Sequence, residues 1–148
     1  MLVRLHLVLR DPPLQRRVRR ALEGLDVLVT ADSGDAPVVE AITGVAADIV
    51  VTREDLVRPE EIVASWPETP DRPLLVLTSR SGDAEHRTAL LGTGAVAVLG
   101  ETDDIPVLRS ALEEVIGRRA DTQLLALRAR AATRYGTLSD FVARSPRM

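Results

Sequence analysis

The sequence has no cysteine, no lysine and very few aromatic residues. Without cysteine there can be no disulfide, no thiolate nucleophile and no cysteine-ligated metal. All 19 basic residues are arginine, which excludes a lysine Schiff base, a P-loop lysine and any lysine contact to a phosphate. Aromatics at 2% leave the core to Leu, Val, Ile and Ala. A long hydrophobic run is missing from the early chain, where Arg4 and Arg10 bracket a stretch of five residues. That is too short for a signal peptide or a membrane span, so a cytoplasmic location without membrane contact is the default expectation. The formal charge of -3 gives no general drive toward nucleic acid or an anionic surface. What remains is ordinary for a globular domain: 148 residues, 45% hydrophobic and 28% charged.

Short apolar runs alternate with helical patterns along the chain. Leu2 to Leu9 reads as a strand with Val3, Leu5, Leu7 and Leu9 on one face and Arg4, His6 and Val8 on the other. Asp11-Pro12-Pro13 stops it and opens a helix, with Asp11 as N-cap and Pro12 at the first helical position. Leu14, Val18, Ala21, Leu22 and Leu25 recur at helical spacing, and Arg16, Arg17, Arg19 and Arg20 take the other face. Asp26 to Thr30 reads as a second strand, and a helix carrying Val38, Val39 and Ile42 follows. Asp48 then opens the run Ile49-Val50-Val51, β-branched throughout and too short for a helix, which predicts a strand buried on both faces.

Leu56 to Trp66 is expected to be helical, and Pro67, Pro70 and Pro73 interrupt regular structure after it. Leu74 to Thr78 is a fourth strand, Asp83 to Leu91 a helix, and Ala95 to Leu99 a fifth strand. Ile105, Leu108, Leu112, Val115 and Ile116 form an amphipathic last helix. The apolar spacing slips across Arg118 to Thr122, so the continuation from Asp121 to Ala132 is either one bent helix or a second one. Tyr135 to Met148 is expected to be a flexible or truncated end, since Gly136, Ser139 and Pro146 argue against a packed element. Five strands alternating with five helices imply parallel pairing through right-handed crossovers. The expected fold is therefore α/β, a flavodoxin-like three-layer sandwich, with residues beyond the carboxyl ends of the strands at the site.

Isolated chemical groups support no catalyst. His6 lies inside a central strand and reads as a packed histidine, and His86, between Glu85 and Arg87 on a helix, as a solvated one. Two distant histidines without a cluster of acids make no metal site. Thr78, Ser79 and Ser81 show no recognisable Ser-His-Asp arrangement, so a hydrolase reading is weak. Arg16 to Arg20 could meet DNA or a phosphate, but a solvated face is the commoner reason for such a run. Gly92-Thr93-Gly94 follows a helix rather than opening one, so it is not a nucleotide fingerprint.

Leu7 to Ala21, Asp48 to Arg53, Pro73 to Ser79 and Gly94 to Leu99 resemble the receiver domain of bacterial response regulators in order and spacing, over residues 1–119. The resemblance implies a five-stranded sheet in the order 2-1-3-4-5. It also implies a switch that takes a phosphoryl group from a histidine kinase onto an aspartate ending the third strand. In that family an acidic pair after the first strand holds Mg²⁺, a Thr or Ser ends the fourth strand, and a Lys ends the fifth. Transferred to this chain, the acidic pair falls on Leu9 and Arg10, with Asp11 the only acid there. The phosphoacceptor falls on Arg53, the hydroxyl survives as Thr78, the lysine position becomes Glu101 and the aromatic switch position becomes Val98. Phosphoryl transfer needs a carboxylate nucleophile and an oxygen-ligated cation, and Arg53 is a permanent cation without a lone pair. A degenerate pocket with no metal, no cofactor and no enzymatic activity is expected. Arg53 and Glu101 either pair with the family's charges exchanged or both point to solvent.

Leu138-Ser139-Asp140-Phe141-Val142-Ala143-Arg144-Ser145-Pro146-Arg147-Met148 resembles the entry to the AAA+ ATPase domain of sigma-54-dependent transcriptional activators. The ATPase itself, with its Walker motif, is not in this sequence. Together the two resemblances imply the N-terminal regulatory part of such an activator: a receiver-like domain over 1–119, a linker helix over 120–134 and an entry segment over 135–148. An attached or partner AAA+ domain is the implied partner, and a homodimer through the last helix and linker is expected. Two other functions remain open: a receiver phosphorylated on a displaced acid, Glu54 or Asp55, and a small-anion sensor using Arg10, Arg53 and Thr78.

Overall fold

The structure, a computed structural model, describes residues 2–144, with side chains described through residue 131. Its strands are β1 (Val3–Val8), β2 (Val27–Ala31), β3 (Ile49–Arg53), β4 (Leu74–Ser79) and β5 (Ala97–Gly100). Its helices are α1 (Pro12–Leu22), α2 (Val38–Thr43), α3 (Pro59–Ser65), α4 (Ala84–Leu91) and α5 (Ile105–Arg144). All four strand pairings are parallel, and the sheet order is β2-β1-β3-β4-β5. This is the flavodoxin-like sandwich that the alternation of patterns predicts.

The two faces of the sheet carry separate cores. Val3, Leu5, Leu7 and Leu9 point with Ile49, Val51, Val76 and Leu99 into a cluster shared with α1 and α5. Val8, Val50, Leu75 and Leu77 point the other way, onto Ile42, Ile62 and Trp66 of the α2–α3 side. The period-2 alternation of β1 thus feeds one core with its odd residues and the other with Val8. β3 is central and covered on both faces, so all five of its residues are buried.

His6 keeps the packed position expected of it, with Nδ1 2.7 Å from the Thr30 hydroxyl. Burial lowers its pKa from 6.5, while Asp32 acts in the opposite direction.

The strand ends shift by one or two residues from the sequence reading, β5 for example running Ala97–Gly100 rather than from Ala95, and two helix boundaries differ for physical reasons. α3 starts at Pro59, not Leu56, because the residue before a proline is driven out of helical geometry, and Arg58 is extended at φ -100°, ψ 104°. The question of one helix or two after Arg118 resolves into one: α5 is continuous. It also runs through Gly136 and Ser139 to Arg144, where composition points to an irregular end. A single glycine costs a helix only about 1 kcal/mol, too little to stop one already growing. Residues 145–148 lie outside the described residues, as do the side chains of the segment that resembles an AAA+ entry.

The slip in apolar spacing has a structural cause. Leu108, Leu112 and Val115 form the buried stripe of α5, and the next position on that stripe is Arg119. Arg119 is 3% exposed. Its guanidinium donates to Asp48 Oδ1 at 3.0 and 3.2 Å and to the carbonyls of Arg72, at 3.0 Å, and Asp71, at 2.5 Å. The other carboxylate oxygen of Asp48 accepts the Arg4 N–H at 2.8 Å. One buried ion pair therefore fastens α5 to the start of β3, to β1 and to the loop before β4.

Candidate functional site: the carboxyl rim of the sheet

In a parallel sheet all strands end on one rim, so Leu9 to Asp11, Arg53 to Asp55, Thr78 to Ser79 and Glu101 lie at the same edge. Arg53 and Thr78 are register partners across β3 and β4, as are Ser79 and Gly100 across β4 and β5. The peptide N–H of Glu101 donates to the Ser79 carbonyl at 2.9 Å, which holds the residue after β5 beside the end of β4. Gly100 permits this close turn: a Cβ there would lie 2.5 Å from Asp103 Oδ1 and 2.6 Å from Arg87 Nη2.

Arg53 is 8% exposed, and its Nε lies 3.5 Å from Glu101 Oε1. The contact is an ion pair without the alignment of a hydrogen bond, since the Nε–H finds no acceptor in good geometry. Nη2 of Arg53 donates to Asp55 Oδ2 at 3.1 Å. The Glu101 carboxylate, as buried as the Arg53 head, has the exposed Arg80 Nε 3.7 Å away. Of the two alternatives for Arg53 and Glu101, pairing is what the structure contains. Thr78, the neighbour of Arg53 across β3 and β4, is fully buried, and its hydroxyl has no hydrogen-bond partner among the described residues. A buried hydroxyl without a partner costs roughly 1–3 kcal/mol. Thr78→Val is therefore expected to leave stability unchanged or to raise it by about 1 kcal/mol in urea denaturation. A clear loss of stability would show that the hydroxyl has a partner.

The positions after β1 do not join this group. Leu9 is fully buried in the α1–α5 core. Asp11 caps α1, its Oδ1 accepting the Leu14 N–H at 3.2 Å. Arg10 takes left-handed geometry at φ 56°, unusual for a residue other than glycine. Its side chain turns to the loop after β2, where Nε meets Asp32 Oδ2 at 2.9 Å and Nη2 donates to the Ala36 carbonyl. The cavity beside Arg10, about 400 Å³, is lined by Asp11, Asp32 and neighbours and does not reach Arg53. This rim does not fit a divalent cation. Its acids are already engaged, Asp11 in capping α1, Asp32 by Arg10, and Asp55 and Glu101 by Arg53, and no cluster of three metal-binding side chains occurs among the described residues.

His86 is half-exposed rather than simply solvated. Its Nε2 lies 2.8 and 2.9 Å from the two carboxylate oxygens of Glu54, the residue that follows β3. Burial pushes the Glu54 carboxyl up, but the Ser79 hydroxyl and the His86 ring outweigh it and hold the pKa below 4.5. A depressed carboxyl stabilises the fold above its unfolded value, and that stability disappears as pH falls through the folded value. His6, with its lowered pKa, works in a higher window: below 6.5 the unfolded chain takes up a proton that the fold refuses, so stability falls as pH drops. The urea midpoint should thus decline first below about pH 6.5 and again below about pH 4.5. His6→Gln should flatten the upper limb and Glu54→Gln the lower.

Sequence reasoning misses the roles of Arg119, of Arg17, whose two terminal nitrogens donate to the carbonyls of Glu101 and Asp103, and of the Glu54–His86 contact. Only Arg119 has a signal, since it falls in register on the Leu108–Leu112–Val115 stripe.

No protein-family model matches the chain, and no curated protein matches it. Solved structures do share its fold. The signal receiver domain of a proposed Luxo repressor protein from Vibrio parahaemolyticus superposes with a TM-score of 0.69 at 12% identity, over 84% of this chain and 98% of that one. The chemotaxis response regulator CheY4 of Vibrio cholerae gives 0.61 at 12% identity, over 78% and 99%. NtrX of Brucella abortus, determined in complex with ADP, gives 0.68 at 17% identity, over 92% of this chain and 30% of that one. The fold defined by the sheet order is therefore that of response-regulator receiver domains.

Proposed function

We propose that this chain is a receiver-like regulatory module that works without conventional aspartyl phosphorylation, through protein contacts and self-association. The observation that carries the reading is Arg53: the last residue of β3 is a buried guanidinium paired with Glu101. A permanent cation there can neither accept a phosphoryl group nor tolerate Mg²⁺ beside it. The biological setting we favour is the N-terminal part of a sigma-54-dependent transcriptional activator, with an AAA+ domain following. The sequence of Leu138 to Met148 supports this, as does the overlap with NtrX, which at 92% of the chain must extend into the continuation of α5. Self-association through α5 is supported by Ala120, Leu124, Leu127 and Ala131, whose 4-3-4 spacing forms a coiled-coil stripe. Leu124 and Leu127 are 41% and 45% exposed in the single chain.

Incubation with acetyl phosphate and Mg²⁺, followed by intact-mass measurement, tests the reading. No phosphoryl adduct is expected. An adduct would overturn it in favour of a displaced acceptor, Glu54 or Asp55. The anion-sensor alternative has less support, because Arg10 is engaged by Asp32 and Arg53 by Glu101 and Asp55.

A further inference from the structure

We propose that the groove between α5 and the loop before β4 binds a small apolar zwitterion, the size of an aromatic α-amino acid. The groove lies at the amino-terminal edge of the sheet, away from the Arg53 rim, since β4 begins at Leu74. Pro70, Asp71, Leu125, Ala126, Ala129 and Arg130 line it. Its volume of about 470 Å³ falls within the range of small-molecule sites, about 300–1,000 Å³.

Helical spacing builds this groove. The buried stripe of α5 reaches Arg119 and continues at the same spacing as Gln123, Ala126 and Arg130. Alanine at 126 and 129 leaves open the room that Leu112 and Val115 fill one stretch earlier. Leu125, which stands beside them, is 63% exposed. At about 100° per residue, Leu125, Ala126 and Ala129 lie roughly opposite Leu124 and Leu127, so self-association through those leucines leaves the groove open. The facing wall is fixed before binding, because Arg119 holds the carbonyls of Asp71 and Arg72. A ligand there has little left to order.

The charges select the ligand. Asp71 and Arg130 line one groove, yet they form no ion pair with each other among the described residues. The Thr69 hydroxyl and its own backbone N–H, then the charges of Arg119 and Arg130, hold the Asp71 carboxyl below 3.8. Asp71 also lines an adjoining cavity of about 480 Å³ together with Gln123, whose Oε1 is buried without a hydrogen-bond partner among the described residues. A carboxylate and an unpaired acceptor on one cavity suit an ammonium, which donates three hydrogen bonds. Arg130 suits a carboxylate. Pro70 and the alanines suit the apolar body between the two charges.

The site goes beyond the reading of an unphosphorylated module, and its test does not involve phosphorylation. Amide NMR of the isotope-labelled full chain would follow a titration with L-phenylalanine, with phenethylamine and phenylpropionate as parallel arms. Saturable shifts at millimolar phenylalanine are expected, centred on Asp71, Ala126 and Ala129. Asp71→Asn and Arg130→Gln should each raise Kd by about tenfold. Ala129→Leu, which fills the groove, should abolish the shifts, and Arg128→Gln, outside the lining, should leave them unchanged. The unaltered remainder of each spectrum checks that the variants fold. The proposal fails if no saturable shifts appear, if those three groove variants bind as wild type, or if either single-charge analogue binds as tightly as phenylalanine. Shifts of the same amides on raising the protein concentration alone would also overturn it, by showing that a second copy covers the groove.

Discussion

Arg119→Ala is expected to destabilise the domain by about 3–5 kcal/mol, the cost of leaving one member of a buried ion pair without its partner. Asp48 would keep the Arg4 N–H and lose the guanidinium, and the carbonyls of Asp71 and Arg72 would lose their donor. Both charged groups are largely buried, at 4% and 18% side-chain exposure, so solvent screening offers little relief. The urea midpoint measures the loss. Arg119→Lys should recover part of it, since one ammonium cannot reach the carboxylate and both carbonyls in the planar arrangement of the guanidinium. If the alanine variant unfolds at the wild-type midpoint, Arg119 does not act as a clamp.

Charge reversal at the other buried arginine should have a comparable effect. Arg53→Glu places a second carboxylate beside Glu101 and Asp55, both within 3.5 Å of the present guanidinium. A loss of about 3–5 kcal/mol is expected. The double variant Arg53→Leu with Glu101→Leu should sit close to wild type, because removing both charges also removes both desolvation penalties. Equal stability of wild type and Arg53→Glu would mean that the pair has no structural role.

The strands were easy to read from the sequence, for a physical reason. Buried parallel strands need short apolar runs, and Asp11-Pro12, Pro73 and Gly92 to Gly94 punctuate them sharply. Strand order then puts Arg53 and Glu101 at rim positions, but whether they pair depends on side-chain geometry that no spacing encodes. The start of α3 is not legible because hydrophobic periodicity from Leu56 hides the veto that Pro59 imposes on Arg58. His86 meets Glu54 across 32 positions, and a short helix with no buried side chain gives no pattern from which to orient it. Arg119 is the most legible of the hidden contacts. A buried stripe that arrives at an arginine calls for a carboxylate, and Asp48, set before an apolar strand, is such a group.

Continuity of α5 gives that arginine a mechanical meaning. At 1.5 Å per residue the 40-residue helix is about 60 Å long, with its first third packed on the sheet and the remainder beyond Arg119. The ion pair is then the fulcrum of a lever. A tilt of about 3–5° at the Asp48 contact becomes a displacement of about 2–3 Å at the far end of the rod.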